Sequence, residues 1–197
     1  MNIVSIDFGI KGAYALFVGS KLKEVFFITT KKIQIEPKKT KIVGQYKNGK
    51  SKYKIIKNAK YKTEIDWLSF KKHLIKLIED NNVEVVVIES QQGMAGNSAR
   101  SSTTISKNYG KILDFLNTLT TTQDLFKTKN YIKKVIEVSP KKWKNDLNIL
   151  GIKDKKERKK ASIELAKKLG YEAKRDDDAE AFLIGYWFLS NNKNLSS

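Results

Sequence analysis

Acidic side chains stand at the ends of two strongly apolar segments of the sequence. Asp7 follows Ile-Val-Ser-Ile and precedes Phe-Gly, and Glu89 closes the segment Val-Glu-Val-Val-Val-Ile-Glu. A carboxylate at the end of a buried strand is costly to desolvate unless a cation lies against it. A third acidic group, residues 176–180, opens a segment of helical character near the C-terminus. If the fold brings these three places together, the result is a cluster of carboxylates.

The residue types around this cluster restrict which metal ion it could hold. In a helix that starts near Asp177, Asp177 and Glu180 lie three residues apart and share a face. Asp176 and Glu180, four apart, share a face if the helix starts earlier. The chain has no cysteine and one histidine, which excludes disulfides, thiolate zinc sites and cysteine nucleophiles and disfavours a histidine-based triad. An oxygen-only site suits Mg²⁺ or Mn²⁺.

The charge of the chain indicates a polyanionic partner. Lysine and arginine number 39 against 21 acidic residues, a net charge of +18 over 197 residues. The sequence shows no lipidation motif and no apolar run of about 18 residues, so phosphate backbones fit better than a membrane. The N-terminus has no basic-then-apolar signal, which predicts a soluble intracellular protein. A negative pocket in a positive surface is what phosphodiester cleavage requires.

Hydrophobic patterning predicts an α/β fold in which a mixed sheet carries helices on both faces. The predicted strands are residues 2–8, 13–19, 23–30, 83–90 and 131–139, of which the first three form an antiparallel meander. The predicted helices are residues 64–81, about 104–119, a segment from Pro140, residues 153–169 and residues 177–190. Residues 91–103 are rich in Gln, Gly, Ser and Thr and are predicted to be a loop.

The stretch from 31 to 63 is crowded with lysine, interleaved with isoleucine and tyrosine, and contains the hairpin signal Asn48-Gly49. A protruding basic β-ribbon or long loop is one interpretation, and a disordered lysine-rich insert is the other. We expect one domain over residues 1–192, with this stretch as an insertion and residues 193–197 as a disordered tail.

Four motifs, in order along the chain, resemble those of one known family. They are IDFGIKGAYAL from Ile6, VVVIESQQGM from Val85, VSPKKWKNDL from Val138 and DDDAEAFLIGYW from Asp176. The chain resembles the RuvC-like Holliday junction resolvases of phage, viral and mitochondrial type, within the RNase H-like superfamily. The resemblance implies a five-stranded mixed sheet with its first three strands antiparallel, flanked by helices on both faces.

The resemblance also implies a site and a reaction. Asp7, Glu89, Asp177 and Glu180 would be catalytic metal ligands, with Asp176 or Asp178 as alternatives to Asp177. Glu180 stands where the family usually has aspartate. Two Mg²⁺ ions, replaceable by Mn²⁺, would be held by the set, with Asp7 bridging them. A homodimer would make paired symmetric nicks in four-way DNA junctions and leave 5′-phosphate and 3′-hydroxyl ends.

Several residues beside these motifs are candidates for contacts with the DNA. They are Lys11, Gln91, Gln92, Met94, Lys141, Lys142 and Lys144. Trp143, between two of these lysines, is more typical of a buried ring. The apolar side of the helix predicted at 104–119 could form the dimer interface, or it could simply lie on the sheet.

Three other functions compete with a junction resolvase. An actin-like ATPase would need a second glycine-rich phosphate motif and a longer chain. A non-catalytic nucleic-acid-binding protein would explain the charge but not the acidic strand ends. The third alternative, which stays open, is a related metal nuclease that acts on other branched or flapped DNA or on RNA–DNA hybrids. The sequence also leaves the compartment open among cytoplasm, host cell, virion and organelle.

Overall fold

The structure, a computed structural model, describes residues 1–91, 99–121, 123–124, 127–128, 131–152 and 154–192. The strands are β1 (Ile3–Asp7), β2 (Ala13–Val18), β3 (Lys21–Phe27), β4 (Thr30–Glu36), β5 (Lys39–Gln45), β6 (Ser51–Lys57), β7 (Lys60–Ile65), β8 (Val85–Glu89), β9 (Gln123–Asp124), β10 (Lys127–Thr128) and β11 (Lys134–Val138). The helices are α1 (Trp67–Asp80), α2 (Ala99–Thr121), α3 (Pro140–Asp146), α4 (Lys155–Lys168) and α5 (Asp176–Asn191). Gln92, Met94 and the tail 193–197 lie outside the described residues.

Five strands form the central sheet in the order β11-β8-β1-β2-β3. β2 runs antiparallel to β1 and β3, whereas β8 runs parallel to both β1 and β11. This is the RNase H-like arrangement that the resemblance implies, so the predicted fold class is confirmed. The parallel strands β1, β8 and β11 end at the same edge of the sheet, which determines where their terminal side chains meet.

Two apolar layers cover the two faces of the sheet. Alternate residues of β1 and β8, such as Ile6 and Ile88, pack with α1 and α2 on one face. Their neighbours, such as Ile3 and Val87, pack with α3, α4 and α5 on the other. Successive strand side chains point to opposite faces, so a strand buried on both sides is apolar along its length, as β8 is up to its terminal Glu89.

The helix α2 differs from its prediction at the N-terminal end. It begins at Ala99, so the prediction of a loop over 91–103 is wrong for its last five residues. Residues 99–103, Ala-Arg-Ser-Ser-Thr, contain no large apolar side chain and therefore no periodicity that could have revealed this part of the helix. Serine and threonine are only mildly unfavourable in a helix. No helix in the described part of the chain is long and apolar enough to cross a membrane.

Residues 30–65 form two strand pairs outside the central sheet. β4 pairs with β7, starting at Thr30 opposite Ile65, and β5 pairs with β6. The β5–β6 turn contains Gly49, whose φ of 76° lies in the left-handed region that glycine tolerates best. We call residues 30–65 the basic ribbon. The described residues of this stretch thus include four paired strands.

Candidate active site

Three carboxylates from three separate elements converge at one edge of the sheet. β1 and β8 are paired in register up to Ile6 and Ile88, so Asp7 and Glu89 are the next residues of two neighbouring parallel strands. Glu180, on the second turn of α5, joins them from the helix layer. Each of the three offers an oxygen, and these oxygens all lie within 4.8 Å of one another.

Small residues allow α5 to bring Glu180 this close to the sheet. Ala179 and Ala181, on either side of Glu180, are fully buried. One turn further on, a Cβ on Gly185 would lie 2.2 Å from the Phe17 ring and 2.6 Å from the Ser5 hydroxyl. That hydroxyl donates a 2.6 Å hydrogen bond to the carbonyl oxygen of Ala181. The helix is therefore held at a spacing that no larger side chain would permit.

The three aspartates at the start of α5 have different surroundings. Asp178 is fully buried and accepts hydrogen bonds from the backbone N–H groups of Lys174 and Arg175 and from the Tyr171 hydroxyl, at 2.7–2.9 Å. This carboxylate therefore holds the start of the helix. Asp176 is ion-paired with the Lys159 ammonium.

Asp177, predicted as a ligand, is not among the three carboxylates whose oxygens lie within 4.8 Å of one another, but its charge acts on Asp7. One of its carboxylate oxygens lies 3.7 Å from Nε of Arg175, and its charge helps to raise the pKa of Asp7. Burial and the adjacent Asp176 raise the pKa of Asp177 itself. Asp178 is held by hydrogen bonds and Asp176 by its ion pair with Lys159. Among the described contacts, Asp177 has only the 3.7 Å approach of Arg175. Asp177 is therefore the aspartate best able to act as a fourth ligand.

Burial and mutual repulsion shift the ionisation of the cluster. Burial raises the pKa of Asp7 well above its ordinary value, and the charges of Glu180 and Glu89 raise it further, against the opposing effect of Lys144. Burial raises the pKa of Glu89 to about 7, although Lys144 and a hydrogen bond from Trp143 lower it. Closely spaced carboxylates with raised pKa values indicate a site short of positive charge.

Lys144 supplies part of that missing charge. Its ammonium lies 2.8 Å from an oxygen of Glu180 and 3.9 Å from one of Glu89, and its side chain is only 14% exposed. These carboxylates raise the pKa of Lys144 despite its burial. The sequence motif nominated Lys144 for DNA and gave no sign of these contacts. The predicted DNA contact stays a prediction.

Two further side chains orient the carboxylates. Trp143 is fully buried, as the buried-ring interpretation expected, and its indole Nε1 donates a 2.7 Å hydrogen bond to Glu89. The buried Ser162 hydroxyl lies 3.2 Å from the other oxygen of Glu180. Sequence reasoning missed both roles. Ser162 and Ala166 are small residues four apart in a lysine-rich helix, and both are fully buried. This spacing was the one sign in the sequence of which helix face packs against the rest of the chain.

The donor set fits hard divalent cations. The described cluster offers oxygen ligands alone, which is the chemistry that Mg²⁺ and Mn²⁺ prefer. Three carboxylates face one ammonium, that of Lys144, so cations would relieve repulsion that the protein leaves in place.

Comparison with known proteins finds likeness in structure alone. No family model matches the chain, and no curated protein matches it. Thermus thermophilus RuvC in complex with a Holliday junction substrate has 11% identity and a TM-score of 0.49, with 97% of this chain and 96% of that chain covered. The fowlpox virus Holliday junction resolvase has 18% identity and a TM-score of 0.46, with 97% and 99% covered. The structural neighbours are Holliday junction resolvases. These values describe a likeness of fold and assign no role to any residue of this chain.

The residues nominated for DNA contact by the resemblance to resolvases lie in different settings. Lys11, Lys141 and Lys142 are exposed. The Gln91 amide donates a 2.8 Å hydrogen bond to the carbonyl oxygen of Phe8, which ties the segment after β8 to the segment after β1. Gln92 and Met94 lie outside the described residues. The contacts of all of these residues with DNA stay predictions.

Proposed function

We propose that this protein is a metal-dependent endonuclease that resolves four-way DNA junctions by paired symmetric nicks, leaving 5′-phosphate and 3′-hydroxyl ends. One observation carries the proposal: carboxylates of β1, β8 and α5 converge within 4.8 Å in a protein of net charge +18. Such a cluster opposes the binding of DNA unless cations neutralise it. The surrounding positive charge favours a phosphate backbone over other substrates.

Asp7, Glu89 and Glu180 would hold the Mg²⁺ ions, with Asp177 as the fourth ligand. The chemistry that two such ions would supply, when bound, is activation of a water as nucleophile and stabilisation of the leaving 3′ oxygen. No covalent enzyme intermediate is required.

The residues around the carboxylates orient them. The Trp143 indole fixes one oxygen of Glu89, and the Ser162 hydroxyl contacts one oxygen of Glu180. Outer hydrogen bonds of this kind hold ligands in the geometry that a metal needs. Lys144 balances part of the charge of Glu89 and Glu180 and stands where it can also contact a phosphate at the site.

Cleavage assays on matched substrates test the proposal. A four-way junction, a flap, a linear duplex and an RNA–DNA hybrid, each end-labelled, are incubated side by side with Mg²⁺, Mn²⁺, Ca²⁺ or EDTA. We expect symmetric nicks in the junction with Mg²⁺ or Mn²⁺. Ca²⁺ should support binding only, because its looser coordination misplaces the reacting groups. Products that a ligase reseals identify the 5′-phosphate and 3′-hydroxyl ends.

Two variants make the assay specific for the site. Asp7→Asn should abolish cleavage and bind the junction at least as tightly, since one negative charge is removed. Glu24→Gln removes the same charge from an exposed position on β3 and should cleave normally. Activity in EDTA, or wild-type activity of Asp7→Asn, would refute the site. Preference for the flap or the hybrid would instead indicate the related nuclease.

A further inference from the structure

The basic ribbon concentrates the charge of the protein. Residues 30–65 contain twelve lysines and two glutamates, a net charge of +10 of the total +18. The two glutamates are already paired within the ribbon: Glu36 with Lys57 and Lys60, and Glu64 with Lys62. The positive excess therefore faces outward with no acidic residue of the ribbon left to balance it.

Between residues 31 and 63, the described side chains of the ribbon form no core. Every one of these side chains is exposed or half-buried. Large apolar side chains also stand in solvent along it, namely Ile33, Ile35, Ile42, Tyr46, Tyr53 and Tyr61, at 36–64% exposure. An isolated two-stranded ribbon is marginally stable in water. Apolar and aromatic groups in such a position indicate a surface that is covered by a partner.

The charge decides which partner this is. A second copy of the ribbon would bring +10 against +10, which opposes edge-to-edge pairing. A nucleic acid supplies a dense row of phosphates for the lysines and sugar or base surfaces for tyrosine and isoleucine. A seven-residue strand such as β5 spans about 23 Å, roughly two-thirds of a turn of duplex DNA. The ribbon is thus long enough to contact several phosphates.

A cleft at the base of the ribbon reaches the segment that follows Asp7. It has a volume of about 370 Å³ and lies between the base of the ribbon and α2, with Lys62, Glu64, Lys107 and Lys111 among its lining residues. Ile10, three residues beyond Asp7 in the chain, lines it as well. Three lysines against one glutamate give this passage a positive balance. A strand held along the ribbon would therefore meet further lysines at the base of the ribbon, near the segment that follows Asp7.

We propose that the basic ribbon is a second DNA-contacting surface, which grips a duplex arm of the branched substrate through its phosphate backbone, away from the point of cleavage. The inference rests on the proposed function for the identity of the substrate. It adds which part of the DNA the ribbon contacts and how: by charge, without reading base sequence.

The test compares two triple variants with equal change of charge. Lys41, Lys47 and Lys50, all exposed on the distal ribbon, become glutamine in one variant. Lys21, Lys76 and Lys134, all exposed but outside the ribbon, become glutamine in the control. Affinity for a four-way junction and for a linear duplex is measured between 50 and 300 mM salt, together with junction cleavage. Binding to anionic vesicles and sedimentation without DNA are measured in parallel.

We expect the ribbon variant to bind both DNAs about 10–100-fold more weakly at 100 mM salt, with a salt slope smaller by about 2–3, because each lost phosphate contact changes the slope by about 0.9. The control should stay within about threefold of wild type. With saturating enzyme, the ribbon variant should lose less in cleavage rate than in affinity, since the carboxylates are untouched.

Equal DNA binding by the two variants overturns the inference. So does a ribbon variant that loses only vesicle binding or only self-association. If the wild-type protein binds DNA through the ribbon but cuts no junction, the proposed function fails while the ribbon surface stands. If the wild-type protein cuts junctions and the ribbon variant binds like the control, the inference alone fails.

Discussion

At the scale of single residues, the hydrogen bond from the Trp143 indole affects the orientation and the pKa of the Glu89 carboxylate. The indole N–H lowers the pKa of Glu89, against the burial that raises it to about 7. Trp143→Phe keeps an aromatic ring and removes the donor. We expect cleavage about 10–100-fold slower, since outer partners of metal ligands have effects of this size. The acid limb of the pH–rate profile should move to higher pH, because the pKa of Glu89 rises.

A matched control exists for this change. Trp187 donates its indole N–H to Asp146 at 2.8 Å, outside the cluster. Trp187→Phe should lose a similar amount of stability and keep the wild-type pH profile. If both variants shift the profile equally, the bond to Glu89 has no special part in activity.

The raised pKa of Glu89 also predicts how stability depends on pH without metal. The pKa of Glu89 is about 7 in the folded protein, above the ordinary 4.5, so the folded state binds this proton more tightly than the unfolded state. The stability that the bound proton contributes is complete below about pH 4.5 and is lost as the pH rises through 7. The full loss is at most about 3 kcal/mol. Urea unfolding in EDTA should therefore give a lower free energy of unfolding at pH 8 than at pH 5.

Glu89→Gln should remove much of this pH dependence, whereas Glu24→Gln should retain it. Added Mg²⁺ should restore stability to the wild-type protein at pH 8. A Glu89→Gln protein with the same difference between pH 5 and pH 8 as wild type would show that other groups cause it.

At the scale of the elements, the contact of α5 with the sheet determines where Glu180 lies. Gly185→Ala places a methyl group against the Phe17 ring and the Ser5 hydroxyl. We expect a loss of about 1–3 kcal/mol in stability and weaker Mg²⁺ binding, because the helix must shift away from Asp7. Calorimetric titration with Mg²⁺ and thermal unfolding measure the two effects.

Gly110 in α2 provides the control, since a Cβ there meets no atom within 4 Å. Gly110→Ala should raise stability by about 0.5–1 kcal/mol, because alanine favours the helix, and should leave Mg²⁺ binding unchanged. Weakened metal binding by Gly110→Ala, or normal binding by Gly185→Ala, would contradict the role assigned to the α5 spacing.

Much of this arrangement could be predicted from the sequence because its signals are local. The continuous apolar run of β8 and the acidic residue after it predict a buried strand with a carboxylate at its end. The contacts of Lys144 and Trp143 with Glu89 could not be predicted, because they join residues 54 and 55 positions apart in the chain. Their positions depend on how α3 packs, which no local pattern determines. The first five residues of α2 were missed for a different reason, since Ala-Arg-Ser-Ser-Thr contains no large apolar side chain that could show a helical period.

At the scale of the whole molecule, the two-fold symmetry of a four-way junction predicts a homodimer with two equivalent sites. We expect sedimentation with junction DNA to show two protein copies per junction and paired nicks. A protein that stays monomeric with and without DNA, and makes unpaired nicks, would favour a flap or hybrid nuclease.

The structure narrows which surface such a dimer could use. Ile112, Leu116 and Leu119 of α2 are buried within the chain, so this part of the apolar side lies on the chain's own sheet and is closed to a partner. Ile105 of α2 and Leu68 of α1 are exposed at 37% and 66%. Substituting these two by serine tests their part in self-association without disturbing the core.

The basic ribbon also bears on how fast the protein reaches a polyanion. Charge held on an exposed arm acts over a Debye length, about 10 Å at 0.1 M salt, so the effective capture radius exceeds that of the protein body. Electrostatic steering raises association rates toward the diffusion limit and fades as salt screens it. Contacts that ignore base sequence also permit sliding and hopping between neighbouring positions. The ribbon would then shorten the search for a rare branch point within a long excess of ordinary duplex.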